Sequence, residues 1–199
     1  SDVCSSDLLK LEPEFIKGPD KNKLDLKKLI ENNEITQNYG IDKNKGRIAC
    51  HFGHLKILNN FLQSNKKYAL IFEDDIYIDL ANVNYVREKI NTILNNIPSD
   101  AEIVYLSFCW ERCDKSEKYN EIFSHSVRPL CRHMYLVSKK GASIILNNTK
   151  NLSKPGDNTI GLLIENKILK SYNVNPEFFH LEQNRQTLGS NLGNDKLDR

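Results

Sequence analysis

The apolar residues fall into two kinds of run, and the chain alternates between them. Phe52, Leu55, Leu58, Phe61 and Leu62 recur at helical spacing, which predicts an amphipathic helix over about 51–64, after Gly46. Tyr68-Ala69-Leu70-Ile71-Phe72 is a short continuous apolar run of the kind that forms a buried strand. It stops at three carboxylates, Glu73-Asp74-Asp75. Ile76 and Ile78 alternate with Tyr77 and Asp79, predicting a second short strand or a turn. Val83, Val86, Ile90, Ile93, Leu94 and Ile97 predict a helix ended by Pro98. Ile103–Phe108 reads as a buried strand and residues 110–120 as a charged loop. His133–Val137 is a further strand, followed by a helix over Lys139–Asn147. Pro155-Gly156-Asp157 opens another helix, with Asp157 as its N-cap and Ile160, Leu163, Ile164 and Ile168 inside it. Ser171–Val174 is the last short strand. Upstream, residues 9–45 are polar, and Leu24, Leu26, Leu29 and Ile30 mark one short helix in an extended lead-in. Strands alternating with helices of this length predict an α/β layered domain.

Composition narrows the class. The 199 residues are 39% hydrophobic and 27% charged, an ordinary globular balance with enough chain for one buried core. No repeat or linker divides the chain, so residues 9–188 are expected to form a single domain, with a mobile Gly/Asn/Asp-rich tail over 189–199. A net charge of +2 does not call for nucleic acid. No stretch reaches the roughly 20 apolar residues of a membrane span, so no integral membrane segment is expected. No basic start followed by an apolar run is present, and a cytoplasmic location is expected.

Residues 1–8, Ser1-Asp2-Val3-Cys4-Ser5-Ser6-Asp7-Leu8, are the translation of TCA GAC GTG TGC TCT TCC GAT CT, a sequencing-adapter string. They are expected to be an adapter artefact on a gene fragment from an AT-rich bacterial or viral genome, and are set aside. That leaves Cys50, Cys109, Cys113 and Cys131, which without a secretory signal are expected as reduced thiols. Cys109-x-x-x-Cys113 with Cys131 and His133 is also a loose zinc pattern, against which Cys109 reads as a small buried hydrophobe.

The acidic triplet is the main chemical signal. Ligands gather at the carboxyl ends of strands in open α/β sheets. Adjacent carboxylates repel and tolerate one another best around a cation. Oxygen donors suit Mg²⁺ or Mn²⁺ with a phosphorylated ligand. The plainer reading of the same residues is a solvated acidic turn.

Gly46-Arg47-Ile48-Ala49-Cys50-His51-Phe52-Gly53-His54, followed after a short interval by Leu70-Ile71-Phe72-Glu73-Asp74-Asp75, resembles glycosyltransferase family 25. Tyr105-Leu106, the block His133-Met134-Tyr135-Leu136-Val137-Ser138-Lys139-Lys140-Gly141-Ala142, and Pro155-Gly156-Asp157 extend the resemblance in order over residues 40–190. Gly53 and Ala49 depart from the family's usual Ser and Gly. Nothing in residues 9–40 matches the family's opening strand and Arg-containing turn, so the first strand and part of the donor site are expected to be missing. The resemblance implies a GT-A-like (Rossmann-like) mixed sheet flanked by helices. It also implies inverting transfer from a UDP-sugar, such as UDP-galactose or UDP-glucose, to a saccharide acceptor on lipopolysaccharide or another surface glycan. Peripheral membrane association is compatible with that acceptor.

Carried onto this sequence, the family's metal motif makes Asp75 the direct ligand of Mn²⁺ or Mg²⁺. Asp74 or Glu73 would then sit on the ribose or behind the metal. The metal neutralises charge on the departing diphosphate. Asp157 matches an acidic position and is the candidate base for the acceptor hydroxyl, beside its plainer reading as a cap. His54 matches the family's helix His and would orient a carboxylate or touch the donor, and His51 lies three residues before it. His180 would complete the metal shell from the C-terminal side. Arg128, Arg132 and His133 flank Cys131, where an arginine fork would meet a diphosphate, beside their plainer reading as a solvated loop. Trp110 would stack on a sugar or merely pack, and Lys139-Lys140 read as a solvated helical turn. Two other classes compete. One is a two-metal nuclease or phosphatase, which would recruit Glu111 or Asp114. The other is an inactive transferase-like binding module.

Overall fold

The computed structural model describes residues 13–181 apart from Tyr77 and Asp79. Residues 1–8 and the tail over 189–199 lie outside the described residues, as do those two positions of the segment after the acidic turn. Strands β1 (Tyr68–Phe72), β2 (Ile103–Ser107), β3 (Phe123–His125), β4 (Met134–Ser138) and β5 (Ser171–Val174) form one five-stranded sheet in the order β1-β4-β2-β5-β3. β4 runs antiparallel to both β1 and β2, β2 and β5 are parallel, and β3 is antiparallel to β5. The helices are α1 (Leu26–Glu31), α2 (Lys45–Gln63), α3 (Val83–Asn95), α4 (Lys139–Asn148) and α5 (Gly156–Glu165). This is the expected α/β class: a mixed, Rossmann-like sheet with flanking helices.

Side-chain alternation along the strands makes two cores. Val104, Leu106, Met134 and Leu136 face Val86, Ile90 and Ile93 of α3. Ile103, Tyr105, Tyr135 and Val137 face Leu58 and Phe61 of α2, Ala142 and Ile145 of α4, and Ile160 and Ile164 of α5. Helices thus cover both faces, which is why every residue of β2 is buried and the strand reads as a continuous apolar run. A smaller cluster of Ile35, Tyr39, Ile48 and Leu152 seats the lead-in segment against α2. Its α1 is capped by the Asp25 side chain, which accepts from Lys28 N at 3.0 Å.

The structure revises several expectations. Helix α2 begins at Lys45 rather than near 51, because its buried stripe of Ile48, Ala49, His51, His54, Leu58 and Phe61 includes two histidines. Asp157 is not the cap of α5: Pro155 holds that position, and Asp157 lies in the first turn. Ile168 lies beyond the end of α5 and is exposed. β3 has no counterpart in the sequence reading, since a three-residue strand with one apolar side chain carries no period. Lys139 is not solvated. Its Nζ donates to Leu62 O at 3.2 Å and to Ser64 O, tying the start of α4 to the end of α2. Gly141 allows that helix to approach the sheet, because a Cβ there would lie 2.1 Å from Glu102 O.

The cysteines also differ from expectation. Cys109 and Cys131 form a disulfide with Cα atoms 5.7 Å apart, so these two are not reduced thiols and are not available to zinc. The cause is tertiary. The end of β2 and the segment before β4 pair through Trp110 and Leu130, bringing the two cysteines face to face. Cys50 and Cys113 are free.

Candidate functional site

The register of β4 gathers the chemistry at one end of the sheet. Met134 pairs with Phe72 on one side and with Ser107 on the other. At the usual strand spacing, the ends of β1 and β2 lie about 10 Å apart across it. The acidic turn follows the first end, anchored by Glu73 N donating to His133 O at 2.9 Å.

The three carboxylates go separate ways. Glu73 turns inward, where its Oε1 lies 3.0 Å from His54 Nε2 and 3.5 Å from Cys50 Sγ. Cys50 and His54 reach it together because residues four apart share a helix face. His54 Nδ1 lies 3.0 Å from the Tyr135 hydroxyl. Glu73 can only accept, so His54 donates through Nε2 and takes the Tyr135 O–H at Nδ1. Burial, reinforced by the nearby Arg132 charge, pushes the His54 pKa down and keeps the ring neutral. Burial alone would raise the Glu73 pKa, but the hydrogen bond from His54 and the Arg132 charge hold it below the usual range. Asp74 is exposed and Asp75 is half-buried beyond it.

Cys50, His54 and Glu73 offer donor atoms within 4.8 Å of one another, a sulfur, nitrogen and oxygen set able to hold a cation. Burial pushes the Cys50 thiol up to about 12, so it stays protonated and donates to Glu73 rather than ligating as a thiolate. The Arg132 charge beside the trio further disfavours a cation there. These three serve to fix the turn.

Asp157 approaches from the start of α5. Its Oδ2 accepts from Cys131 N at 3.3 Å and its Oδ1 from Asn158 N at 2.9 Å. Gly156 lets that turn press on the site, since a Cβ there would lie 2.2 Å from His51 Nδ1 and 2.9 Å from Arg132 Nη2. His51 is fully buried, and burial followed by the Arg132 and His54 charges lowers its pKa to about 2. His180 is exposed, with Nδ1 3.2 Å from Ser107 Oγ and its ring edge-on to Phe108. It therefore stands at the end of β2, on the same edge as the acidic turn.

The arginines divide in a way the sequence does not indicate. Arg128 turns to Glu165, 3.2 Å away, and its stem packs on Gly161. Arg132 is the one that enters the buried cluster. Glu111 commits both oxygens to structure. Oε1 accepts from Arg112 N and Arg128 N at 2.6 and 2.7 Å, and Oε2 from Val127 N and Asn173 Nδ2 at 3.1 and 2.7 Å. A two-metal reading would need this carboxylate at the cation. Trp110 is about half exposed beside the disulfide. Tyr135 and Tyr105 were not singled out as site residues. Their alternation on the α2 face of β4 and β2 is the signal that could have found them.

The chain matches the model of glycosyltransferase family 25 (LPS biosynthesis protein) over residues 5–160. It is 25% identical over 136 residues to a Haemophilus influenzae protein named "Putative glycosyltransferase". That match covers 65% of this chain and 45% of the relative, so the chain spans about half the length of the curated relative it matches. Within the matched region lie Cys50, His54, Glu73, Arg132 and Asp157, the residues that the fold brings together.

Proposed function

The chain belongs to glycosyltransferase family 25, and on that premise we propose that it transfers a sugar, with inversion, from a UDP-linked donor to a saccharide acceptor such as lipopolysaccharide or another surface glycan. The observation that carries this reading is the acidic turn itself. Glu73 is braced by His54 and Cys50, and Asp74 stands exposed at the carboxyl end of β1 in a mixed α/β sheet.

In this reading Asp75 and Asp74 hold Mn²⁺ or Mg²⁺, with His180 reaching the same edge from beyond β5. Hard oxygen donors suit either ion. The ion supplies Lewis-acid stabilisation of the departing diphosphate. Glu73 acts behind them by fixing the turn, and His54 acts through Glu73. Asp157 takes the proton from the acceptor hydroxyl as it attacks the donor sugar's anomeric carbon. Its position is set by the Cys131 and Asn158 backbone donors.

Calorimetric titration of UDP into the full chain, with and without Mn²⁺, tests the reading. UDP binding that requires Mn²⁺ and disappears in Asp75→Asn is the expected result. Absence of both UDP and Mn²⁺ binding overturns it.

A further inference from the structure

The Cys109–Cys131 disulfide lies at the surface, with Cys109 exposed and Cys131 half-buried. A dithiol in solution can therefore reach it. It stands beside two backbone bonds, from Leu130 N to Trp110 O at 2.9 Å and from Cys109 N to Leu130 O at 3.1 Å. The loop that it closes has other ties. Glu111 gathers four donors from that loop and from β5, and Arg112 and Arg128 both pair with Glu165 of α5.

What the disulfide holds is a backbone conformation. Among the described residues, four that are not glycine have positive φ. Asn33 and Asn151 are of the type that tolerates this region, and Lys167 follows the end of α5. Cys131, at φ 65°, is neither. A residue of its kind keeps such a φ only where its surroundings over-determine it. Here they are the bond to Cys109 and the burial of the next residue, Arg132.

That conformation aims the Cys131 N–H at Asp157 Oδ2, 3.3 Å away. Among the described residues this is the one hydrogen bond that reaches the carboxylate from outside α5, since Asn158 N, at 2.9 Å, belongs to the same turn. Arg132 presses on that turn too, because a Cβ on Gly156 would lie 2.9 Å from its Nη2. Two consecutive residues, the first of them disulfide-bonded, thus set where Asp157 stands.

We propose that the Cys109–Cys131 disulfide is a redox-sensitive positioning element for Asp157, and that its reduction by a dithiol slows sugar transfer. The part of Asp157 as base rests on the transferase reading; the coupling of the disulfide to its carboxylate does not. One thiolate of the dithiol attacks the exposed Cys109 sulfur. The S–S bond breaks, and its electron pair leaves on the Cys131 sulfur, which takes up a proton. The second thiol of the dithiol, losing its proton, then displaces Cys109, which is protonated in turn, and closes the reductant's own disulfide. Two electrons and two protons pass from the dithiol to the protein. Cys131 then relaxes to negative φ, its N–H turns away, and the carboxylate keeps only the Asn158 bond.

The test compares the full chain oxidised and after reduction with dithiothreitol, with Cys113→Ser present throughout so that no third thiol exchanges. NMR reads the exchange of the Cys131 amide and the carboxyl carbon resonance of Asp157. Reduction is expected to speed the exchange by about fivefold or more and to shift the resonance. Cys109→Ala should resemble the reduced chain. Adding Cys131→Gly to Cys109→Ala should restore the oxidised Asp157 resonance, because glycine takes positive φ without a bond to hold it. An unchanged amide exchange and resonance on reduction overturns the proposal, and so does a double variant that fails to restore the resonance. With UDP-galactose as donor, kcat should fall by about one to two orders of magnitude on reduction while KM for the donor holds. Equal kcat in both states refutes the proposal and leaves the transferase reading standing. Movement of both signals, with no Mn²⁺-dependent UDP binding in either state, supports the coupling and removes the transferase reading.

Discussion

His54 Nε2 lies 3.0 Å from Glu73 Oε1, joining the middle of α2 to the first residue of the acidic turn. The bond decides which carboxylate of the triplet faces the interior and therefore which two face outward. It also keeps a carboxylate ionised in a place where burial would otherwise neutralise it. His54 is thereby a positioning residue for the turn.

The two buried histidines set an acid limit on the fold. His51 has a folded pKa of about 2 against an ordinary 6.5, and His54 shifts in the same direction. A folded pKa below the unfolded one means that stability is complete above pH 6.5 and is lost as pH falls toward the folded pKa. Each histidine costs up to about 1.4 kcal/mol per pH unit in that window. Thermal denaturation between pH 7 and pH 5 should show a falling Tm, and His51→Gln should flatten the slope. An identical slope in that variant would show that His51 protonates freely in the folded state.

Asp157 separates chemistry from folding. In Asp157→Asn the amide oxygen still accepts from the Asn158 N–H and the NH₂ meets only the longer Cys131 contact, so stability should fall by about 1–2 kcal/mol, with the fold retained. The rate of sugar transfer should fall by about two to four orders of magnitude, the usual weight of a general base. Turnover at the original rate would exclude Asp157 from proton transfer.

Glu111 is the opposite case, a carboxylate with a structural task. Four donors converge on its two oxygens. Glu111→Gln places an NH₂ against at least one of them and should cost about 1–3 kcal/mol. For a chain of this size the Tm should fall by several degrees. An unchanged Tm would mean that these donors have other acceptors.

Much of this molecule was legible in its periodicities. The apolar runs at Tyr68–Phe72, Ile103–Ser107 and Met134–Ser138 are strands because both faces of the sheet are covered. The break from Phe72 into three carboxylates placed the turn at a strand end without any coordinates. Where polar residues occupy buried positions, the periodicity failed. His51 and His54 hid the start of α2, and the three-residue β3 was too short to register.

What the sequence determined by itself was the succession along the chain of the helices and of every strand but β3, and the position of the acidic turn at a strand end. Those follow from periods of 2 and 3.6, which are local properties. Only the tertiary structure decided that Glu73 turns to His54 and Cys50, that Cys109 meets Cys131, and that Arg132 rather than Arg128 enters the cluster. Each of these depends on which distant strands pair and in which register. Shifting that register by one residue would turn the strand side chains to the other face and carry the segments that follow them away from these partners.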